Sequence, residues 1–228
     1  MDDEQRGWHA YLERAYQFLR SAGRPLAAGE LASAGINRTT MSQLVASGLV
    51  ERPVRGVYHI PSPEDDQRVM WAAISLGYDA VFCFAAAASY HRLTEEGAGI
   101  PDVAIPEDGR IPSRSSFESR VRFHAWPRAA MADDVETVDI QGVPVRITSP
   151  ARTVVDMYRH STLNRERGIK PVVMDTAFVD CVSRFISEGD QNARSMELRR
   201  VAEVHGCWEA ISGITSVITA TRDRLMTF

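Results

Sequence analysis

The residues best suited to chemistry lie between Arg24 and His59, and the chemistry they suit is the reading of a nucleic acid. In the run Asn37-Arg38-Thr39-Thr40-Met41-Ser42-Gln43-Leu44-Val45-Ala46-Ser47, the residues Met41, Leu44 and Val45 recur at i, i+3 and i+4. That spacing predicts one buried face of a helix. Thr39, Gln43 and Ala46 then point the opposite way, flanked by Thr40, Ser42 and Ser47. Such a face is small and polar. It can lie in a major groove, where bulk would hold the helix off and hydroxyls and amides can meet base edges. Beyond it, Arg52, Arg55 and His59 fall on or beside a turn, placed to meet phosphate or the minor groove. From Arg20 to Pro61 five arginines stand against Glu30 and Glu51, a local charge of +3 that favours a polyanion. The candidate DNA contacts are Arg24, Arg38, Thr39, Thr40, Ser42, Gln43, Arg52 and Arg55. The alternative is an ordinary helical pair with a surface hairpin, kept for protein contacts.

Other groups that could do chemistry are weaker. Arg152 and Asp156 stand at i, i+4 and can pair on one helix face, pinning the helix to the sheet or offering a charged site to a partner or ligand. His205 and Cys207 form H-x-C, too cramped for a zinc site with four ligands. Ser89 and His91 lie close in sequence, but no G-x-S-x-G accompanies them. Asp133-Asp134 reads as a solvated turn before a metal pair. Neither G-x-x-x-x-G-K nor G-x-G-x-x-G occurs, so no phosphate cradle is visible and no cofactor or metal is expected. A restriction-type nuclease would want an Asp and a Glu-x-Lys on adjacent strands. The only lysine, Lys170, follows Ile169 outside any such motif. Cys83, Cys181 and Cys207 are scattered and form no C-x-x-C, as expected of reduced thiols in a cytoplasmic protein. The acidic Met1-Asp2-Asp3-Glu4 does not read as a secretory leader, and no apolar run is long enough to span a membrane.

The elements that must position the first set can be read around it. Ala28–Ala34 predicts a short helix ended by Gly35, Asn37 caps the next helix from Arg38 to about Ser47, and Gly48 stops it. Leu49–Arg52 and Val57–Ile60 predict a hairpin about Pro53-Val54-Arg55-Gly56. Ahead of them, Trp8–Arg20 carries Trp8, Tyr11, Leu12, Ala15, Phe18 and Leu19 on one stripe. Helix, helix, helix and hairpin is the order of a winged helix-turn-helix. Pro61-Ser62-Pro63 holds the chain extended and divides it into 1–61 and 64–228. The first part carries a charge of +1 and the second −5. In the second part a helix runs from Glu64-Asp65-Asp66 to about Leu76, and Val81–Tyr90 reads as a buried helix. Pro101–Ile105, Ser119–His124, Val135–Ile140 and Val143–Ile147 read as strands, the last two joined by a tight turn at Gln141-Gly142. Helices follow at about 150–160, 172–187, 192–204 and 207–222, with a polar loop at Asn164–Gly168. The expected class is α+β, a winged helix-turn-helix followed by a mixed α/β domain with a small sheet and C-terminal helices.

The run from Leu31 to Tyr58 resembles the N-terminal domain of AbiEi-type antitoxins, from the abortive-infection AbiE toxin–antitoxin systems. The resemblance rests on Gly35, on Leu44-Val45-Ala46-Ser47-Gly48 and on Arg55-Gly56-Val57-Tyr58. The later run Gly142–Asp156, with Pro150-Ala151-Arg152-Thr153-Val154-Val155-Asp156 at a helix start, resembles the C-terminal domain of that family. The chain departs from the pattern at Ala85–His91, which is unusually rich in alanine. The resemblance implies a bacterial, cytoplasmic antitoxin that binds double-stranded operator DNA, represses its own operon and opposes a nucleotidyltransferase-type toxin. An enzyme that uses the N-terminal part to find nucleic acid, with a catalytic site not visible in the sequence, is the other reading.

Overall fold

Asn37 fixes the start of the helix on which the sequence reading turns. Its Oδ1 accepts from the Thr40 N–H at 2.9 Å and from the Thr40 hydroxyl at 2.9 Å, so two polar groups at the helix start are answered by one side chain. The helix Arg38–Ala46 follows, and Gly48 ends it in the left-handed region at φ 75°. In the computed structural model the described residues are 3–63, 67–95, 99–109, 120–166 and 172–225, with side chains described outside 3–8, 161–166, 172–177 and 221–225. The Trp8 side chain, the Glu64–Asp66 run and Arg167–Gly168 thus fall outside what is described.

In chain order the elements are α1 (Asp3–Ala22), β1 (Leu26–Ala27), α2 (Ala28–Ser33), α3 (Arg38–Ala46), β2 (Glu51–Val54), β3 (Val57–His59) and α4 (Gln67–Gly77). Then come β4 (Val81–Phe82), α5 (Phe84–Tyr90), β5 (Asp102–Pro106), β6 (Arg122–Trp126), β7 (Val135–Ile140) and β8 (Val143–Thr148). The helices α6 (Pro150–Glu166), α7 (Val172–Ser187), α8 (Gln191–Val204) and α9 (Trp208–Leu225) complete the chain. Helix and strand are mixed, as an α+β reading requires. No helix among the described residues is long and apolar enough to cross a membrane.

The chain clusters into two compact units. The first takes in the residues up to Ala80 together with Thr137–Arg146, and the second begins at Val81 and includes Ile147–Phe228. In the first unit, Ala15 and Leu19 of α1 meet Leu31, Met41, Leu44, Val50 and Tyr58 in one buried cluster. Phe18, expected on the same stripe, is instead 38 % exposed, because it lies at the edge of the face that α1 turns to α3. The three-stranded sheet has the order β1-β3-β2. The strand β1 is absent from the sequence reading: two residues, Leu26 and Ala27, are too few to show a period of two. Pro53, expected in the turn, lies within β2, and the register slips between Glu51 and Val54, as it must where proline offers no N–H. The turn itself is Arg55-Gly56, with Val54 opposite Val57 and Gly56 at φ 79°. The helix α4 packs on this sheet so closely that a Cβ on Gly77 would collide with Val54. The compact unit containing residues 1–61 therefore runs on past Pro61-Ser62-Pro63.

The larger sheet has the order β6-β5-β4-β8-β7. Val81–Tyr90 is not one helix. Val81 and Phe82 form β4, antiparallel to β5 (Val81 opposite Ala104) and parallel to β8 (Phe82 opposite Ile147). Only the alanine-rich part is helical, because two strands claim the hydrogen bonds of the first two residues. The strand read at Ser119–His124 is found at Arg122–Trp126, parallel to β5. Gln141 and Gly142 both have positive φ, 54° and 74°, the two-residue turn that matches strand twist. The helix after Pro150 runs on to Glu166, further than the sequence pattern indicates. Ala151, Val154 and Val155 of α6 meet Cys181, Val182 and Phe185 of α7 and Leu198, Val201 and Ala202 of α8 in the core of the second unit.

Asn37→Ala should destabilise the protein by about 1–2 kcal/mol, the upper part of the range for a lost cap, because the buried Thr40 hydroxyl also loses its acceptor. Asn37→Asp should lose far less. Urea denaturation of the two variants checks this.

Candidate functional site

The small polar face read from the sequence lies on α3. Met41 and Leu44 are buried at 1 % and 3 % exposure, so the opposite side of the helix must face outward. Thr39, Gln43 and Ala46 are exposed, as the spacing predicts, and Ser42 is exposed with its hydroxyl donating to the Arg38 carbonyl at 3.0 Å. Thr40 is a correction. Its side chain is fully buried and bound to Asn37, so it secures the start of α3 and cannot reach a ligand. A 100° step from Thr39 was enough to carry it from one face to the other.

The arginines divide. Arg38, Arg52 and Arg55 line one concavity of about 460 Å³, together with Ala28, Asn37 and Tyr58. The start of α2, the start of α3 and the hairpin turn form its walls, tied by a hydrogen bond from Ala28 N–H to the Gly56 carbonyl at 2.7 Å. Arg24 is engaged elsewhere: it is half-buried and pairs with Glu30 at 2.6 Å. Glu30 also accepts from the Ala27 N–H at 2.8 Å at the head of α2. The hydrogen bond from Arg24 holds the Glu30 carboxyl below its ordinary value. His59, read as a phosphate contact, is 9 % exposed, since all of β3 is buried between its two neighbours.

In the second unit the pair Arg152–Asp156 is a buried structural pair. Arg152 is 1 % exposed and Asp156 3 %, and the guanidinium Nε donates to Asp156 Oδ2 at 2.9 Å. Arg152 Nη1 also donates to the Asp133 carbonyl at 3.0 Å and its carboxylate at 3.2 Å, and the guanidinium sits 5.1 Å from the centre of the Trp126 ring. Asp133-Asp134 is therefore no mere solvated turn: Asp134 pairs with Arg200, and His205 Nε2 lies 3.1 Å from Asp133 Oδ2. Neighbours so far apart in sequence leave no local signal. Burial pushes the Asp156 carboxyl up to about 6, and the opposing pull of Arg152 is the smaller effect.

The remaining candidates separate. His91 Nε2 bonds the Thr148 carbonyl at 2.8 Å, a structural link between α5 and β8 and no partner for Ser89. Cys83 and Cys181 are buried and Cys207 half-buried, and all are free thiols. Burial raises all three above the ordinary thiol value, Cys181 to about 12, so each stays protonated and unreactive at neutral pH. Among the described residues no group of three or more His, Cys, Asp and Glu is placed to hold a metal ion.

The geometry defines an α+β protein with a basic concavity beside an exposed polar helix face. No family model matches the chain, and no curated protein matches it. Its fold is similar to that of the RV2827C protein from Mycobacterium tuberculosis, known from its crystal structure. The two are 16 % identical with a TM-score of 0.54, over 85 % of this chain and 71 % of that one. At that identity the likeness is one of fold.

The Asp156 carboxyl gives a testable pH dependence. Its folded value of about 6 lies above the ordinary 3.8, so the folded state holds the proton more tightly than the unfolded state. Its contribution to stability is full below about 3.8, falls as pH rises to about 6, and is flat beyond. Asp156→Asn removes this titration. The stability of the natural chain minus that of the variant should decline over that window in urea titrations. A difference that grew with pH would show that the pairing with Arg152 outweighs burial.

Proposed function

We propose that the protein is a DNA-binding antitoxin of an AbiE-like toxin–antitoxin system. In this reading its first 61 residues are a winged helix-turn-helix: α2 and α3 are the helix pair, α3 enters the major groove, and β2–β3 are the wing. The observation that carries the DNA-binding part is the concavity lined by Arg38, Arg52 and Arg55 beside the exposed Thr39 and Gln43 of α3. Arginines clustered on a concave surface suit the phosphate backbone, and a short polar helix face suits base edges. Each arginine neutralises one phosphate and releases counterions, so binding should weaken steeply with salt. The antitoxin part is supported by the sequence resemblance at 31–58 and 142–156. It implies a nucleotidyltransferase-type toxin as the functional partner, and autoregulation of the shared operon from the cytoplasm.

Titration of the full chain with DNA from upstream of its own reading frame tests the first part. Gln43→Ala should lose about 1–3 kcal/mol on the operator and much less on random DNA, whereas Arg55→Ala should weaken both alike. Equal losses for Gln43→Ala would make it a backbone contact and would reverse the orientation assigned to α3. A binding constant indifferent to salt would remove the arginine concavity from the interface.

Co-expression tests the second part. The full chain, placed under a promoter it cannot regulate, should restore growth to cells making a nucleotidyltransferase encoded beside it. The Thr39→Ala, Gln43→Ala double variant should rescue equally well while failing to repress. No rescue by the full chain would end the antitoxin reading and leave the DNA-binding one standing.

A further inference from the structure

The second unit holds a cavity that the DNA-binding reading does not use. It measures about 340 Å³, and its walls include Phe84, Trp126, His160, His205, the pair Arg152–Asp156, and Arg159. That volume lies near the lower end of small-molecule sites, which run from roughly 300 to 1,000 Å³, and suits a single ring system with one substituent.

One wall is aromatic. The Phe84 ring lies 4.7 Å from the His160 ring and 6.0 Å from that of Trp126, the latter pair at 89°. All three are half-buried and so keep part of their surface open to a ligand. Phe84 has φ 48°, the left-handed region that a bulky side chain rarely occupies. Strain of this kind gathers at binding sites, where the surrounding fold holds a side chain in position.

The other wall is polar and incompletely satisfied. Arg159 is exposed, and its Nη1 lies 3.3 Å from His205 Nδ1. A guanidinium only donates, so Nδ1 must accept and the His205 proton sits on Nε2. That Nε2 is buried and lies 3.1 Å from Asp133 Oδ2, yet it is not aligned for a hydrogen bond. Burial, then the charges of Arg152 and Arg159, hold His205 below its ordinary value and keep it neutral. Arg152 is answered by Asp156 and Asp133, but no carboxylate among the described residues stands within ion-pair distance of Arg159.

We propose that this cavity binds a small planar aromatic anion, its ring against Phe84 and Trp126 and its phosphate or carboxylate on the Arg159 guanidinium. The planar fork of arginine suits either group, and a ring beside Trp126 adds dispersion and quadrupole attraction. This site is independent of the DNA-binding reading, so either can fail without the other.

Calorimetric titration of the full chain tests it. Phenyl phosphate supplies a ring with phosphate, and benzoate a ring with carboxylate. Inorganic phosphate lacks the ring and benzyl alcohol lacks the anion. At least one ring-bearing anion should bind about tenfold or more tightly than either control, and the arm in which it falls identifies the anionic group. Arg159→Gln should weaken it by about tenfold or more, the worth of a charge-assisted contact. Ala130→Trp, which fills the cavity from another wall residue and removes no polar partner, should abolish it. Circular dichroism establishes that each variant is folded, and if Arg159→Gln is not, Ala130→Trp alone decides. Failure of every ring-bearing anion to bind more tightly than the controls, or binding unchanged in the folded variants, would overturn the proposal.

Discussion

A guanidinium that has lost its water must have its donors answered by the protein, and Arg152 sets that condition for the second unit. Among the described residues it is the largest of the fully buried side chains. Its contacts join two stretches of chain: α6 itself, where Asp156 lies one turn along, and the β6–β7 connection, which supplies the indole of Trp126 and the carboxylate of Asp133. Thr148 and Thr153, bonded hydroxyl to hydroxyl at 2.8 Å, hold the join between β8 and α6 on which Arg152 stands. Such an arrangement is not a large source of stability by itself, since desolvating the charges offsets much of their attraction. Removing Arg152, however, leaves the Asp156 carboxylate buried without its cation, with a penalty of about 3–5 kcal/mol. The constraint is therefore one of specificity: the segment around Asp133 has one place to be.

The first unit is built on the opposite principle. Its core is aliphatic and small, Leu19, Leu31, Met41 and Leu44 closing on Val50 and Tyr58, and its charges lie at the surface. Arg24 is spent on Glu30 and the head of α2. Arg38, Arg52 and Arg55 are gathered around one concavity by three separate elements. The fold thus sorts arginines of equal sequence prominence into one that is structural and three that share a surface.

What the sequence disclosed follows from the range of each signal. The cap at Asn37, the stops at Gly35 and Gly48 and the turn at Gln141-Gly142 were legible because each is a local backbone demand met by one or two residues. The long helices α7 and α8 were legible because their apolar period is sustained over several turns. The short strands β1 and β4 were not, since a pair of residues carries no period and their partners lie far along the chain. The outward set Thr39, Gln43 and Ala46 was readable from α3, but Thr40 was misplaced because it serves the cap. His59 was misplaced because only the sheet reveals that β3 is its middle strand. The surroundings of Arg152 beyond Asp156, and the cavity beside it, depend on contacts that no spacing rule encodes.

The position of β4 has a kinetic side. It is two residues long and sits inside its sheet, between β5 and β8, pairing Phe82 with Ile147 across a long stretch of chain. The hairpin of β7 and β8 closes through two residues and can form from local contacts. The closure that brings β4 alongside β8 must first meet the entropy of a much larger loop. The closure cost of the sheet therefore falls on the strand that joins the edge hairpin to β5 and β6, and a chain in which β4 has not docked presents the open edge of β8.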